Sequence, residues 1–77
     1  MSAKANVKYP KRLYTDLGAT LRELRLDQNL TQEMLASKVG VSGSAIANIE
    51  RGDQRVTLHT LYAVTKALKT NIAAVVV

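Results

Sequence analysis

Two short segments of this chain are separated by only three residues, and that spacing constrains the fold more than any other feature. Residues 32–39 and 43–51 both carry apolar side chains at helical spacing, and the connection between them reads Gly-Val-Ser. Gly40 can adopt the positive φ of a tight turn, and Ala36 is small enough to let two helices cross closely. The aliphatic residues placed to fill the corner are Val41, Ile46 and Ile49. The sequence therefore predicts two short helices packed at a tight turn, a helix-turn-helix.

The other elements are predicted from apolar stripes and capping residues. Leucines at positions 13, 17, 21 and 24 fall on one stripe and predict a first helix over 14–28. Thr57 is a good N-cap for a helix over 58–69. The predicted inward residues of that helix are Leu58, Leu61, Val64 and Leu68. Three consecutive valines near the end favour a β-strand over 72–77. The predicted fold is an all-α bundle of four to five short helices with a short C-terminal strand.

Basic charge is concentrated at the N-terminus. The 77 residues carry a net charge of +5, yet residues 13–77 hold seven basic and six acidic side chains. Residues 1–12 hold four basic side chains and no acid, and Pro10 breaks any helix that would run through it. The four basic residues are Lys4, Lys8, Lys11 and Arg12. We interpret 1–12 as a basic flexible arm, 13–70 as the helix-turn-helix domain and 71–77 as a C-terminal segment. The arm is expected either to add nonspecific affinity for nucleic acid or to be an untied terminus.

Composition excludes several classes of function. The chain has no Cys and a single His, so disulfides, thiolate metal sites and a histidine metal cluster are excluded. His59 has no catalytic partner in the sequence pattern, and no enzyme activity, metal or cofactor is expected. The sequence has no apolar run of the roughly 18 residues that a membrane helix needs, and its N-terminus lacks the apolar core of a signal peptide. A cytoplasmic, nucleoid-associated protein without a membrane partner is the expectation.

The run LRELRLDQNLTQEMLASKVGVSGSAIANIERG resembles the helix-turn-helix of the Cro/CI-repressor (XRE) family, and the resemblance extends over 13–70. It implies a lambda-repressor-like fold in which the second helix of the motif enters the DNA major groove. It also implies homodimers that read half-sites about one helical turn apart, roughly 34 Å. The end of the chain, TLHTLYAVTKALKTNIAAVV, is similar to HipB-type antitoxins, in which a terminal strand pairs with its symmetry mate. The residues that would pair across such a dimer are Ile72, Val75, Val76 and Val77.

The resemblance also implies which residues contact DNA. Gln32 opens the first helix of the motif and is expected to hold a phosphate. The residues expected to face base edges are Ser42, Gly43, Ser44 and Asn48. Asn48 can pair bidentately with adenine, but Ala45, Ala47 and Gly43 offer no side-chain hydrogen bonds, so direct readout should be sparse. The phosphate contacts expected around the recognition helix are Lys38, Arg51, Gln54 and Arg55. Arg25 and Glu50 match a family ion pair with a structural role.

These features predict a homodimeric, sequence-specific transcriptional regulator, an autoregulating repressor that acts on palindromic operator DNA. Three alternatives remain open. The chain could be an antitoxin that neutralises a toxin protein and represses jointly with it, or the controller of a restriction-modification system. It could also be a protein-interaction module that keeps the fold without binding DNA. Genomic neighbourhood separates the first two, and the salt dependence of binding separates the third.

Overall fold

The computed structural model describes residues 11–53 and 55–76, and in that part of the chain every regular element is an α-helix. The helices are α1 (Lys11–Asp27), α2 (Gln32–Val39), α3 (Gly43–Arg51), α4 (Leu58–Ala67) and α5 (Ile72–Val75). The prediction of an all-α bundle is confirmed, and α2 and α3 have the predicted bounds. Gln54 and Val77 lie outside the described residues, as do residues 1–10 of the predicted arm.

A side-chain cap fixes the start of each helix after α1. The oxygen of the cap accepts a hydrogen bond from the backbone N–H three residues later, at 3.0–3.1 Å in all four cases. The four capping residues are Thr31, Ser42, Thr57 and Asn71. Each cap accepts from a backbone N–H that has no acceptor within the helix. Each contributes about 1 kcal/mol to the free energy of unfolding. The starts of α2 and α3 are therefore fixed by local chemistry.

The turn between α2 and α3 has the predicted geometry. Gly40 has φ +87°, and its N–H donates to the carbonyl of Ala36 at 2.8 Å. Val41 donates to the same carbonyl at 3.1 Å, which closes the end of α2. The buried apolar residues that form the core are Leu17, Leu21, Leu35, Ala36, Ile46, Ile49, Leu61, Val64, Leu68 and Val75. The core thus holds both helices of the motif against α1, α4 and α5.

Gly18 marks a close approach between α1 and α3. A Cβ atom on Gly18 would lie 2.3 Å from the carbonyl oxygen of Ile49 and 2.5 Å from that of Glu50. Both oxygens belong to the backbone of α3, so they cannot rotate out of the way as a side chain could. The sequence stripe predicted α1 but gave no reason to single out this glycine. The separation of α1 and α3 therefore depends on the absence of a side chain at position 18.

The start of α1 and one predicted inward residue of α4 differ from the predictions. Helix α1 begins at Lys11, so Lys11 and Arg12 belong to a helix and not to the predicted arm over 1–12. Proline is compatible with the first position of a helix, and Pro10 therefore does not prevent a helix from starting beside it. In α4, the residue Leu58 is 71% exposed, which makes its predicted inward position wrong. Leu58 is the first residue of the helix, one turn before Leu61, the first buried residue of α4.

The predicted strand over 72–77 is wrong for residues 72–75, which form α5. Asn71 caps this helix, Val75 is buried in the core, and Ile72 packs against the core at the spacing of one helical turn. The strand was predicted from the β-propensity of the valines. A strand needs a neighbouring strand to form its backbone hydrogen bonds, whereas a helical turn forms them within itself. Val76 is extended and 43% exposed. Of the three described residues predicted to pair across a dimer, Val76 is exposed, Ile72 is half-buried and Val75 is buried.

Candidate nucleic-acid interface

One face of α3 is anchored in the core and the other carries polar groups. Ile46 and Ile49 are 1% and 6% exposed and face the protein interior. Ser44, Asn48 and Arg51 follow one another at i, i+4 and i+7, which places them on a common stripe of the helix. Ser44 and Arg51 are exposed and Asn48 is half-buried. The structure therefore brings three of the predicted contact residues onto one polar stripe of α3.

Ser42 and Gly43, which were predicted to face base edges, make contacts within the protein at the start of α3. Ser42 is the N-cap, and its Oγ accepts from the backbone N–H of Ala45 at 3.0 Å, so its hydroxyl keeps its proton and one lone pair for an outside partner. Gly43 is the first residue of the helix, and the side chain of Glu33 from α2 lies against it. The start of α3 thus combines backbone N–H groups with a carboxylate of a neighbouring helix.

Asn48 and Arg51 are linked to each other and to Asp53. Arg51 donates from Nη2 to Oδ1 of Asn48 and from Nε to Oδ2 of Asp53, the latter at 2.7 Å. The hydrogen bond from Arg51 lowers the pKa of Asp53 below its ordinary value. Because the amide oxygen of Asn48 already accepts a hydrogen bond, the amide NH₂ is its freer group. The amide NH₂ and the second lone pair of the amide oxygen remain for the bidentate pair with adenine, which stays a prediction.

A buried ion pair connects α1 to α3. Arg25 and Glu50 have side chains 7% and 3% exposed, and Arg25 donates from Nε to Oε2 of Glu50 at 2.6 Å and from Nη2 to Oε1 at 3.0 Å. Arg25 also donates from Nη1 to the carbonyl of Leu30 at 2.7 Å. The side-chain hydrogen bonds to Glu50 raise the pKa of Arg25 above its ordinary value. The pair that the resemblance implied is therefore present, with bidentate geometry.

Gln32 joins this ion pair, which the sequence did not suggest. Its Nε2 donates to Oε1 of Glu50 at 3.0 Å, and the side chain is half-buried. Gln32 begins α2, so the contact sets the start of α2 against α3. Because one amide proton is used internally, the donors left for a phosphate are the backbone N–H and the second amide proton.

The remaining predicted contacts are cations around the motif. Lys38 is exposed in the last turn of α2, where a positive charge also stabilises the helix C-terminus. Arg55 is exposed in the connection before α4, and Gln54 lies outside the described residues. Among residues 11–53 and 55–76, no group of His, Cys, Asp and Glu side chains is arranged to hold a metal ion. No helix in the same ranges is long and apolar enough to cross a membrane.

Comparison with known families identifies the family to which the α2–turn–α3 unit belongs. The family model described as helix-turn-helix matches residues 21–75, which is more than half of the chain and includes α2, the turn and α3. The chain belongs to the helix-turn-helix family. Its predicted type, Cro/CI-repressor (XRE), is confirmed, whereas the HipB-type branch stays a prediction.

Named relatives of this helix-turn-helix protein include a phage repressor and a restriction-modification controller. It is 38% identical over 60 residues to the immunity repressor protein of Bacillus phage phi105, covering 78% of this chain and 42% of that protein. It is 39% identical over 56 residues to the control protein C.SmaI of Serratia marcescens, covering 73% and 67% of the two chains. The chain thus spans less than half the length of the phage repressor.

A solved relative supports the fold. The P22 c2 repressor, crystallised in complex with a synthetic operator, superposes with a TM-score of 0.69 at 33% identity. The match covers 71% of this chain and 83% of that one. The predicted lambda-repressor-like bundle is therefore confirmed, apart from its C-terminal strand.

Proposed function

We propose that this helix-turn-helix protein is a homodimeric repressor that binds a palindromic operator and acts at its own promoter. The observation that carries the proposal is the polar stripe of α3, Ser44, Asn48 and Arg51, held opposite a buried face of Ile46 and Ile49. A helix anchored in this way can enter the major groove without disturbing the core. Such a regulator acts in the cytoplasm, at the nucleoid, and two copies would read half-sites roughly 34 Å apart.

The chemistry of the stripe indicates how the operator is recognised. Ser44 and Asn48 offer few hydrogen bonds, and Ala45 and Ala47 beside them offer none from their side chains. Direct readout of base edges is then limited to a few positions in each half-site. DNA shape and bridging waters would supply the rest of the specificity. Arg51 and Lys38, together with Gln54 and Arg55, are proposed to contact phosphates and to set the register of the protein on the duplex.

A restriction-modification controller is the second candidate function. The similarity to the control protein C.SmaI extends over two thirds of that protein, and it favours this reading over the antitoxin alternative. A restriction endonuclease gene beside this one would support the controller, and a toxin gene would support the antitoxin. All of these proteins would share operator binding, so the biochemical test is the same.

Selection from a library of random DNA duplexes tests the proposed function. The wild-type chain is expected to enrich a palindrome whose half-site centres lie about 10 base pairs apart, because two α3 helices related by a two-fold axis must meet one face of the duplex. Enrichment of an asymmetric sequence would contradict the homodimer. Failure to enrich any sequence at low salt would contradict sequence-specific binding.

The dimer is proposed to form through the C-terminal segment, and the V76D variant tests this. Val76 is 43% exposed at the surface, so a carboxylate there is compatible with the folded monomer but not with an apolar interface. We expect sedimentation to show V76D as a monomer that still has the helical content of the wild type. The matched control is L58D on α4, where Leu58 is 71% exposed. A dimeric V76D with a monomeric L58D would place the interface on α4 instead.

A further inference from the structure

The start of α3 has no side chain of its own, but a carboxylate from α2 occupies that place. A Cβ atom on Gly43 would lie 2.1 Å from Oε2, 2.6 Å from Cδ and 3.1 Å from Oε1 of Glu33. The whole carboxylate therefore fills the space into which any side chain at position 43 would project. Although Glu33 lies in the first turn of α2, its functional group is presented at the first residue of α3.

The electrostatics of the helix end favour the carboxylate in this position. The first N–H groups of α3 have no partner within the helix, and Ser42 satisfies one of them, that of Ala45. The partial positive charge of the remaining groups attracts an acid. Glu33 is exposed, and within the described residues its carboxylate has no hydrogen-bond donor from another side chain. Its oxygens remain available to accept hydrogen bonds from outside the protein.

We infer that Glu33 is a specificity-determining residue that accepts a hydrogen bond from a cytosine amino group in each half-site. The inference rests on the proposed function, in which the N-terminal residues of α3 face base edges in the major groove. A carboxylate accepts from cytosine N4, whereas the O6 and N7 acceptors of guanine would repel it. In this proposal the base at the start of α3 is read by Glu33, because Gly43 has no side chain to read it.

Two variants remove the carboxylate from this place in different ways. E33Q keeps the shape and adds a donor, and G43A keeps the charge but inserts a Cβ where the carboxylate lies. The control is E23Q, which removes the same charge from an exposed position on α1. The measurement is the affinity of each protein for the selected operator and for duplexes that carry the other base pairs at each half-site position.

The expected result is a change at a single half-site position. Wild type and E23Q should prefer cytosine over guanine there by about tenfold, and E33Q and G43A should lose that preference. Affinities at the other positions should fall or rise together, if at all. Circular dichroism checks that G43A is folded, and E33Q gives the answer independently because its side chain is exposed.

Other outcomes overturn the inference. If E33Q binds every duplex more tightly by the same factor, Glu33 only repels phosphates and reads no base. If E33Q keeps the wild-type preferences at all positions, the carboxylate has no reading role, while the proposed function stands. A wild-type chain that selects no duplex overturns the proposed function and the role of Glu33 with it.

Discussion

The E50Q variant is expected to lose about 3–5 kcal/mol of its free energy of unfolding. Glu50 accepts two hydrogen bonds from Arg25 and one from Gln32, and its side chain is 3% exposed. An amide in its place would leave the Arg25 charge buried without a counter-charge. Since small domains are stable by about 5–15 kcal/mol, this loss would leave a substantial unfolded fraction. Urea denaturation followed by circular dichroism measures the change.

Two further variants separate the charge from other effects. E23Q makes the same substitution at an exposed position and should change the free energy of unfolding by about 0.5 kcal/mol or less. The double variant R25M/E50M removes both charges, and we expect it to be more stable than E50Q, because no buried charge is left uncompensated. An E50Q protein as stable as E23Q would show that the ion pair does not hold α1 against α3.

The G18A variant is expected to lose about 3 kcal/mol or more of its free energy of unfolding. The added methyl group would lie 2.3 Å from a backbone oxygen of Ile49, and α1 and α3 would have to move apart. That movement would disturb the Ile46 and Ile49 side chains, through which α3 is anchored in the core. Thermal unfolding by circular dichroism measures the change, and operator affinity should fall with the shift of α3.

The control for G18A is the same substitution at Gly40. A Cβ atom there would meet nothing within 4 Å, so G40A is expected to cost about 1–2 kcal/mol from its φ of +87° alone. The loss of free energy of unfolding is therefore steric in G18A and conformational in G40A. Equal losses in G18A and G40A would contradict the close approach of α1 to α3.

The sequence was sufficient for the motif because its signals are local. Thr31 and Ser42 cap their own helices, and Gly40 supplies its own turn, so α2 and α3 were predicted with the right bounds. The C-terminal segment was predicted wrongly because strand propensity depends on a partner strand. Asn71 and the core around Val75 favour a helical turn instead.

The parts of the site that the sequence missed all depend on contacts distant along the chain. Gln32 meets Glu50 across 18 positions, and the carboxylate of Glu33 meets Gly43 only because α2 and α3 pack at the turn. The sequence shows that Gly43 has no side chain to form hydrogen bonds. It does not show that the carboxylate of Glu33 lies beside Gly43 and supplies hydrogen-bond acceptors there. Chain order does not reveal which neighbouring side chain fills a glycine position; the packing of the two helices does.

The central claim is that the α2–turn–α3 unit recognises DNA sequence. The direct measurement is the ratio of the Kd for a scrambled duplex to the Kd for the selected palindrome, at about 0.15 M salt. We expect a ratio of about 10³ or more, with both affinities falling as salt rises. Equal Kd values for the two duplexes would contradict it.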